Sequence, residues 1–263
     1  MKKYLNIGKS HEVISQIKKL KKNTSSDYIV VDDITILEYA LNHNLEIEMF
    51  LFATDLTYTE STQKIIDFYL EHAKEAYGIS AKTYELLKEK ENAVGALAVI
   101  KKRNYTLDEF ASKNFIVVCD HLEIPGNLGT IYRTADACGC DGMIITDAIT
   151  NPNNPKVTAA SRGMNLLVPT CITSFDEAIN FLQQNNYDIY LGEPELGLPY
   201  NEYQYNNKVA IVVGNERFGI NPKWYNQNHK KVFIPMYGEM PCLNVSIACA
   251  ILLYEAATKR NNK

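Results

Sequence analysis

The chain has 263 residues, of which 46% are hydrophobic and 22% charged, the balance of an ordinary globular protein with one or two domains. Its net charge of −4 excludes a protein that coats nucleic acid through bulk electrostatics, although a local basic patch would still bind RNA. Residues 1–6 have no apolar core behind their lysines, so we predict no secretory signal, and no apolar run reaches the roughly 20 residues of a membrane span.

Residues 1–105 alternate helical and strand patterns and are predicted to form a small α/β domain. The predicted helices span residues 11–22, 34–42, 61–76 and 81–90, and the predicted strands span 28–31, 47–53 and 94–100. Two basic clusters, residues 18–22 and 101–103, lie at the ends of these elements. They are either solvated element ends or contacts to RNA phosphates.

Residues 106–114 are predicted to be a linker with a short helix, and residues 115–263 a second α/β domain. Its predicted strands span residues 115–119, 142–146, 188–191, 209–213 and 232–235, and its predicted helices span 128–138, 173–185 and 243–260. Because strands alternate with helices, we expect a mostly parallel sheet that is covered on both faces. Ligands bind such sheets at the carboxyl ends of the strands.

All six cysteines lie in the second half of the chain, mostly within apolar segments: residues 119, 138, 140, 171, 242 and 249. Cys138 and Cys140 are two positions apart, and no pair has the spacing of a zinc finger. We therefore expect buried free thiols in a reducing cytoplasm, with neither a bound metal nor a disulfide framework.

The first segment that carries chemistry spans residues 125–136, reads PGNLGTIYRTAD, follows a strand and opens a helix. The free backbone N–H groups at the start of a helix point toward a ligand above the sheet. Asn127 is suited to cap this helix, and Arg133 lies nearly two turns later, from where its long side chain can reach the same edge. A capped helix with a surface arginine would produce the same sequence.

The second segment, residues 210–219, reads AIVVGNERFG and is an apolar strand that ends in a turn. Gly214 would let a ligand approach the backbone closely, because it has no Cβ atom. Glu216 at the end of the strand would accept a hydrogen bond from a hydroxyl or hold an arginine. A tight turn without any ligand also favours Gly and Asn here.

The third segment, residues 234–248, reads IPMYGEMPCLNVSIA and joins a strand to a long helix. The helix is apolar nearly all round, so it is expected to pack against the sheet, or against the sheet and a second subunit. Asn244 and Ser246 are polar groups at its buried start and need hydrogen-bond partners. Helix capping and core packing would account for them equally well.

The order and spacing of these three segments resemble the SpoU–TrmH family of RNA 2′-O-ribose methyltransferases, within the SPOUT superfamily. The match covers residues 115–263, whereas residues 1–105 resemble the accessory substrate-binding domain, similar to ribosomal protein L30e, of many members. The resemblance implies an α/β fold with a C-terminal trefoil knot and a homodimer in the cytoplasm. It also implies methyl transfer from S-adenosylmethionine to a ribose hydroxyl in structured RNA, with 23S ribosomal RNA as the expected target.

The resemblance also implies the residues of the site. The positions that match cofactor contacts are Gly214, Ile234 and Leu243, with Met236, Gly192 and Glu193 as neighbours. The positions that match catalytic residues are Arg133, Asn127, Glu216 and Asn244. Arg133 is expected to fix the ribose phosphate and stabilise the developing alkoxide, while Asn127 and Glu216 orient it and Asn244 shapes the site.

One position departs from the family pattern, because Cys242 stands where members usually have serine. A thiol is a weaker hydrogen-bond partner than a hydroxyl. Two alternatives follow: an RNA-binding homologue with weakened catalysis, or a different acceptor such as a base nitrogen or the ribose of a tRNA. The four intact catalytic positions favour an active enzyme, and the extra N-terminal domain favours a large ribosomal target over tRNA.

Overall fold

The computed structural model describes residues 4–23, 26–89, 93–205, 208–226 and 229–261. The chain divides into two compact units, residues 1–103 with 153–155 and residues 104–152 with 156–263. Residues 1–3, used for the prediction of no secretory signal, and Lys90, the predicted end of a helix, lie outside the described residues. None of the helices described is long and apolar enough to cross a bilayer.

The described part of the first unit contains a five-stranded mixed sheet in the order β1-β4-β3-β5-β2. Its strands are β1 (Leu5–Asn6), β2 (Tyr28–Val31), β3 (Ile47–Ala53), β4 (Glu75–Ile79) and β5 (Ala96–Lys101). Its helices are α1 (Glu12–Lys22), α2 (Ile34–Asn42), α3 (Glu60–His72) and α4 (Ala81–Tyr84). Ile14 and Ile17 of α1 belong to one core cluster with Leu51 and Val99 of the central strands, so the apolar face of α1 is buried on the sheet.

The predicted helix 61–76 is wrong at its C-terminal end. Helix α3 ends at His72, and the following residues form β4, which pairs in parallel with β3. The predicted helix 81–90 is also too long, since α4 ends at Tyr84 and a turn follows. A short strand is stabilised by its neighbour in the sheet, which the apolar spacing of the segment itself does not reveal.

The second unit contains a sheet of seven strands within the described ranges, in the order β10-β12-β9-β11-β6-β7-β8. These strands are β6 (Phe115–Asp120), β7 (Gly142–Thr146), β8 (Thr170–Thr173), β9 (Tyr187–Glu193), β10 (Leu198–Pro199), β11 (Lys208–Val213) and β12 (Lys230–Phe233). All six pairings between them are parallel, which confirms the predicted parallel α/β sheet.

Both faces of this sheet are covered by helices, as expected for parallel strands. The helices are α5 (Pro125–Ala137), α6 (Pro155–Ser161), α7 (Met164–Leu167), α8 (Phe175–Gln184) and α9 (Val245–Asn261). Successive residues of β6 point to opposite faces: Val117 joins the core cluster that contains residues of α5 and α9, and Val118 joins the one that contains residues of α8. The continuous apolar run of this strand therefore contributes side chains to the hydrophobic cores on both faces of the sheet.

Several boundaries differ from the predictions. The short elements β1, β8, β10, α6 and α7 were not predicted, because two to seven residues carry too little periodicity. Helix α5 begins at Pro125 instead of residue 128, and α9 begins at Val245 instead of residue 243. The first of these shifts moves Asn127 from the predicted cap into the first turn of α5, with consequences for the site.

Candidate active site

A cavity of about 500 Å³ lies at the carboxyl ends of β9, β11 and β12, next to the start of α9. These three strands are neighbours in a parallel sheet, so their carboxyl ends share one edge. The walls are mostly apolar and carry a few polar groups. The lining includes Ile124, Asn127, Gly192, Glu193, Pro194, Gly214, Asn215, Glu216, Arg217, Gly219, Ile234, Met236, Met240, Cys242, Leu243, Asn244, Ala248 and Leu252.

The carboxylate of Glu216 connects the turn after β11 to the start of α5. Its Oε1 accepts hydrogen bonds from Asn127 Nδ2 at 2.8 Å and from the backbone N–H of Ile124 at 3.1 Å. Its Oε2 accepts one from the backbone N–H of Glu123 at 3.0 Å. The negative charge thus lies at the N-terminal end of a helix, where unpaired N–H groups and the helix dipole stabilise it.

The prediction that Asn127 caps α5 is therefore wrong. The residue before Pro125, Ile124, makes no side-chain capping hydrogen bond, and Glu216 from a distant strand supplies the acceptor instead. The amide of Asn127 is 8% exposed and is used to bind Glu216. The sequence indicates that the start of this helix needs a hydrogen-bond acceptor. It does not show that the acceptor is Glu216, which lies about ninety residues later in the chain.

Asn244 joins the third segment to the same network. Its Nδ2 donates to Asn127 Oδ1 at 3.1 Å. Its Oδ1 accepts from the backbone N–H of Ser246 at 2.9 Å and from the hydroxyl of Ser246 at 2.7 Å, so Asn244 also caps α9. A continuous chain of hydrogen bonds, Glu216 to Asn127 to Asn244 to Ser246, therefore holds the three sequence segments together at one edge of the cavity.

Glu216 remains ionised at neutral pH. Burial raises the pKa of its carboxyl group, but the hydrogen bonds from Asn127 and from the backbone of Glu123 and Ile124 outweigh this effect, so the pKa lies below the ordinary value of 4.5. A carboxylate that binds protons so weakly, and whose oxygens already accept three hydrogen bonds, is a poor general base. Its arrangement fits a residue that positions the loops of the site.

The turn after β11 is tightly closed. Asn215 and Gly219 exchange two backbone hydrogen bonds of 2.8 and 2.9 Å, and Asn215 Nδ2 donates to the carbonyl oxygen of His121 at 2.8 Å. A Cβ atom on Gly214 would lie 2.2 Å from the backbone carbon of Gly219. The turn itself therefore requires glycine at position 214. The sequence analysis had explained this glycine by the close approach of a ligand.

All six positions predicted to contact the cofactor line the cavity: Gly192, Glu193, Gly214, Ile234, Met236 and Leu243. The carboxylate of Glu193 accepts a hydrogen bond from the hydroxyl of Tyr225. Burial raises the pKa of Glu193, although the hydrogen bond from Tyr225 and the charge of Lys231 oppose this shift. These residues come from the ends of three strands and from the loop before α9, and the fold brings them to one edge of the sheet.

Of the four positions predicted to be catalytic, Asn127, Glu216 and Asn244 line the cavity, whereas Arg133 does not. Arg133 lies on α5 with its side chain exposed. Within the described ranges its guanidinium makes no hydrogen bond or ion pair. Its guanidinium is therefore available to a partner molecule outside this chain's own cavity.

The sequence did not single out several residues of the cavity, among them Pro194, Met240, Ala248 and Leu252. Ala248 and Leu252 are four residues apart on α9 and therefore share one helix face. The apolar character of the helix was visible in the sequence, but which face borders a cavity depends on how α9 packs against β9 and β11.

The cysteines have two kinds of environment. Cys119, Cys138, Cys171 and Cys249 are buried and Cys140 is half-buried, with Cys138 Sγ and Cys140 Sγ 3.7 Å apart, too far for a disulfide. Cys242 is exposed and lines the cavity beside Leu243 and Asn244. Across the residues described, no group of three or more potential ligands could hold a metal ion.

Comparison with known proteins supports the resemblance drawn from the three segments. The model of the SpoU rRNA Methylase family matches residues 114–254, more than half of the chain. The 23S rRNA (guanosine(2553)-2′-O)-methyltransferase RlmP of Bacillus subtilis (strain 168) is 28% identical over 185 residues, which are 70% of this chain and 73% of that protein.

Solved structures agree. The crystal structure of an RNA 2′-O ribose methyltransferase matches with a TM-score of 0.79 and 27% identity, covering 97% of this chain and 99% of that one. An AdoMet-bound rRNA methyltransferase from Sinorhizobium meliloti matches in fold, with a TM-score of 0.84 at 19% identity, over 95% of this chain and 96% of that one. The resemblance of the second domain is confirmed, and the chain belongs to the SpoU rRNA Methylase family of RNA methyltransferases.

Proposed function

We propose that this protein transfers a methyl group from S-adenosylmethionine to the 2′-hydroxyl of a ribose in 23S ribosomal RNA. The main support is the hydrogen-bonded convergence of three distant segments, through Asn127, Glu216 and Asn244, at one cavity on the carboxyl edge of the sheet. The family and the named substrate of the B. subtilis relative support a ribosomal RNA as the acceptor.

The cavity fits the proposed donor in size and chemistry. Its volume of about 500 Å³ is within the roughly 300–1,000 Å³ typical of small-molecule sites. Apolar side chains such as Ile234 and Leu252 offer a surface for the adenine ring, and the carboxylates of Glu193 and Glu216 complement the positive charges of the donor. The residues proposed to hold it are Gly214, Ile234 and Leu243, with Gly192, Glu193 and Met236 as neighbours.

Bound S-adenosylmethionine supplies a methyl group on a positively charged sulfur, so the 2′-oxygen forms a bond to carbon as the sulfur–carbon bond breaks and the hydroxyl proton passes to water. The chain's own task is to hold the acceptor oxygen and to stabilise it as it loses that proton. Arg133 is proposed for this task, because a guanidinium stays protonated and offers five donors to ribose and phosphate oxygens. Asn127, Glu216 and Asn244 fix the walls of the site.

We also propose that the active form is a homodimer. Arg133 is exposed and lies outside the cavity of its own chain. Helix α9 exposes Ile247 and Tyr254, each to about half, and residues seven apart lie on one helix face. A second copy that covers this apolar face would bury both side chains and could complete each cavity with an arginine from the neighbouring chain.

The first unit is proposed to be an L30e-like domain that binds the RNA substrate. The two basic clusters are only partly available for this role. Lys21 forms an ion pair with Glu89 at 3.4 Å, and Lys102 is only 5% exposed. Phosphate contact is therefore proposed for the exposed members of the first cluster, which are Lys18, Lys19 and Lys22.

Two further proposals concern the whole chain. The segment after β12 lines the cavity beside the turn after β11, which is compatible with the trefoil knot of the superfamily. A location in the cytoplasm is also proposed, and a ribosomal RNA substrate would support it. Refolding kinetics after denaturation would test the knot. Threading of the C-terminal segment should add a slow refolding step, and a variant truncated before α9 should lack that step.

The catalytic proposal is tested with Arg133→Ala. We expect this variant to lose methyl transfer to unmodified 23S ribosomal RNA while its affinity for S-adenosylmethionine stays unchanged, because Arg133 does not line the cavity of its own chain and its proposed contacts are to the ribose and phosphate of the RNA. Arg133→Lys keeps the charge but not the planar fork, so its activity should remain far below that of the wild type. Near-normal turnover of Arg133→Ala would refute the role.

The acceptor is tested by mapping ribose methylation on ribosomal RNA and tRNA from cells with and without the gene. Loss of one 2′-O-methyl mark in 23S ribosomal RNA is the expected result, and loss of a tRNA mark would support the alternative acceptor.

The effect of the thiol at position 242 is tested with Cys242→Ser, which introduces the usual residue of the family. If catalysis is weakened by the thiol, this substitution will raise turnover; if the wild type is fully active, it will leave turnover unchanged.

A further inference from the structure

The phenyl ring of Phe218 is 85% exposed at the tip of the turn that follows β11. Four other residues of this turn, Asn215, Glu216, Arg217 and Gly219, line the cavity, whereas Phe218 does not. The ring therefore stands outside the cavity and beside its mouth. Covering a ring of this size with a partner surface would bury apolar area that is now in contact with water, and this would contribute to binding.

The exposure of Phe218 does not result from a loose loop. The side-chain oxygen of Asn215 accepts hydrogen bonds from the backbone N–H groups of Arg217 at 2.9 Å and Phe218 at 3.2 Å. The backbone pair between Asn215 and Gly219 closes the turn, and Glu216 is bound to the start of α5. These contacts fix the backbone of Phe218 from both sides, so only the side-chain torsions of the ring remain to be ordered when a partner binds.

The surroundings of the ring indicate what kind of partner fits. Arg217 is 74% exposed and its Nε lies 3.7 Å from Glu123 Oε2, and Glu216 adds a second carboxylate. The core of an interface between two protein copies is depleted in charged residues, so this setting does not favour a second subunit. A nucleobase has an apolar face for a ring and polar edges for charged groups, and single-stranded RNA is recognised by stacking on aromatic side chains.

We infer that Phe218 is a stacking platform for a base of the acceptor RNA, at or next to the nucleotide whose ribose is methylated. The inference rests on the proposed function and adds a substrate-binding residue to it. The ring lies in the turn that carries Glu216, so a base stacked on it brings its ribose to the mouth of the donor cavity. Arg217 then lies where it can bind an edge of that base or an adjacent phosphate.

The test compares Phe218→Leu, Phe218→Ala and Phe218→Trp in the full-length protein. Stacking on one base changes affinity by about 5- to 150-fold, so we expect the Leu and Ala variants to raise KM for unmodified 23S ribosomal RNA by that range. Phe218→Trp keeps an aromatic face and should retain most of the affinity. Binding of S-adenosylmethionine, measured by calorimetry, should be the same in all variants because Phe218 does not line the cavity.

The Leu variant separates stacking from a protein contact. Leucine can fill an apolar interface but offers no aromatic face, so wild-type KM in Phe218→Leu together with a weaker dimer in Phe218→Ala, by sedimentation, would overturn the inference in favour of a second copy. Unchanged KM in all three variants would overturn it as well. In both results the wild type still methylates RNA, whereas failure of the proposed function would appear as no methyl transfer by the wild type.

Discussion

Substitution of Asn127 by Ala tests whether one amide couples the three segments of the site. The change removes the hydrogen bond to the carboxylate of Glu216 at 2.8 Å and the bond from Asn244 at 3.1 Å. A bond to a charged group contributes about 1.5–3 kcal/mol and a neutral one about 0.5–1.5 kcal/mol. Because Glu216 is partly exposed, solvent screens the first, so we expect a total loss of about 1–3 kcal/mol.

Urea unfolding followed by the fluorescence of Trp224 measures this loss. Trp224 is the single tryptophan of the chain and is buried in the second unit, so its signal reports on that unit. The second single variant is Asn244→Ala, which removes the bond to Asn127 and also the cap that Asn244 provides for α9, and the double variant completes the cycle. A coupling energy of about 1 kcal/mol is expected between the two residues, and additive effects within about 0.3 kcal/mol would refute the network as a stabilising unit.

The same variant has a defined pH dependence. The folded pKa of Glu216 lies below its ordinary value of 4.5, so its ionised form stabilises the fold above pH 4.5, and this contribution is lost as pH falls through the folded pKa. Without Asn127, burial is opposed by fewer hydrogen bonds and the pKa should rise. The difference in unfolding free energy between wild type and Asn127→Ala should therefore shrink below pH 4.5, and a difference independent of pH would contradict this account.

Three further outcomes follow from other parts of the chain. Gly214→Ala should destabilise the second unit by about 1–3 kcal/mol and weaken donor binding, because its Cβ would meet the backbone of Gly219; equal urea midpoints would contradict this. Ser174→Ala should cost about 1 kcal/mol in thermal unfolding, since it removes the capping box with Glu177 at the start of α8. Burial lowers the pKa of Lys102 from 10.5 to about 7, so between pH 7 and pH 10.5 the unfolded chain binds one more proton than the folded chain. The free energy of unfolding should therefore rise with pH in this range, and Lys102→Met should abolish the rise in urea titrations at different pH values.

The alternation of apolar strands with helices was sufficient to predict the fold class of the second unit. Strands β7 and β11 lie within one residue of the predicted bounds, because each is a short apolar run between turn residues. Strand β4 was missed because its stability comes from pairing with β3, about twenty-five residues earlier in the chain. The pattern of apolar residues within one segment does not show which distant strand will pair with it.

The residues of the site could also be identified from sequence, because the order and spacing of the three segments resemble those of a known family. Their roles could not. Asn127 was predicted to cap its own helix, whereas the acceptor at that helix is Glu216. Gly214 was assigned to ligand approach, whereas its own turn leaves no room for a Cβ atom.

The sequence by itself determined which segments carry chemistry and that they end strands or begin helices, since those signals are local. Only the tertiary structure decided that Asn127, Glu216 and Asn244 bond to one another while Arg133 does not line their cavity. The physical reason is that hydrogen bonds between residues separated by about ninety or more positions depend on strand order and helix packing. Those in turn follow from how the whole chain buries its apolar faces.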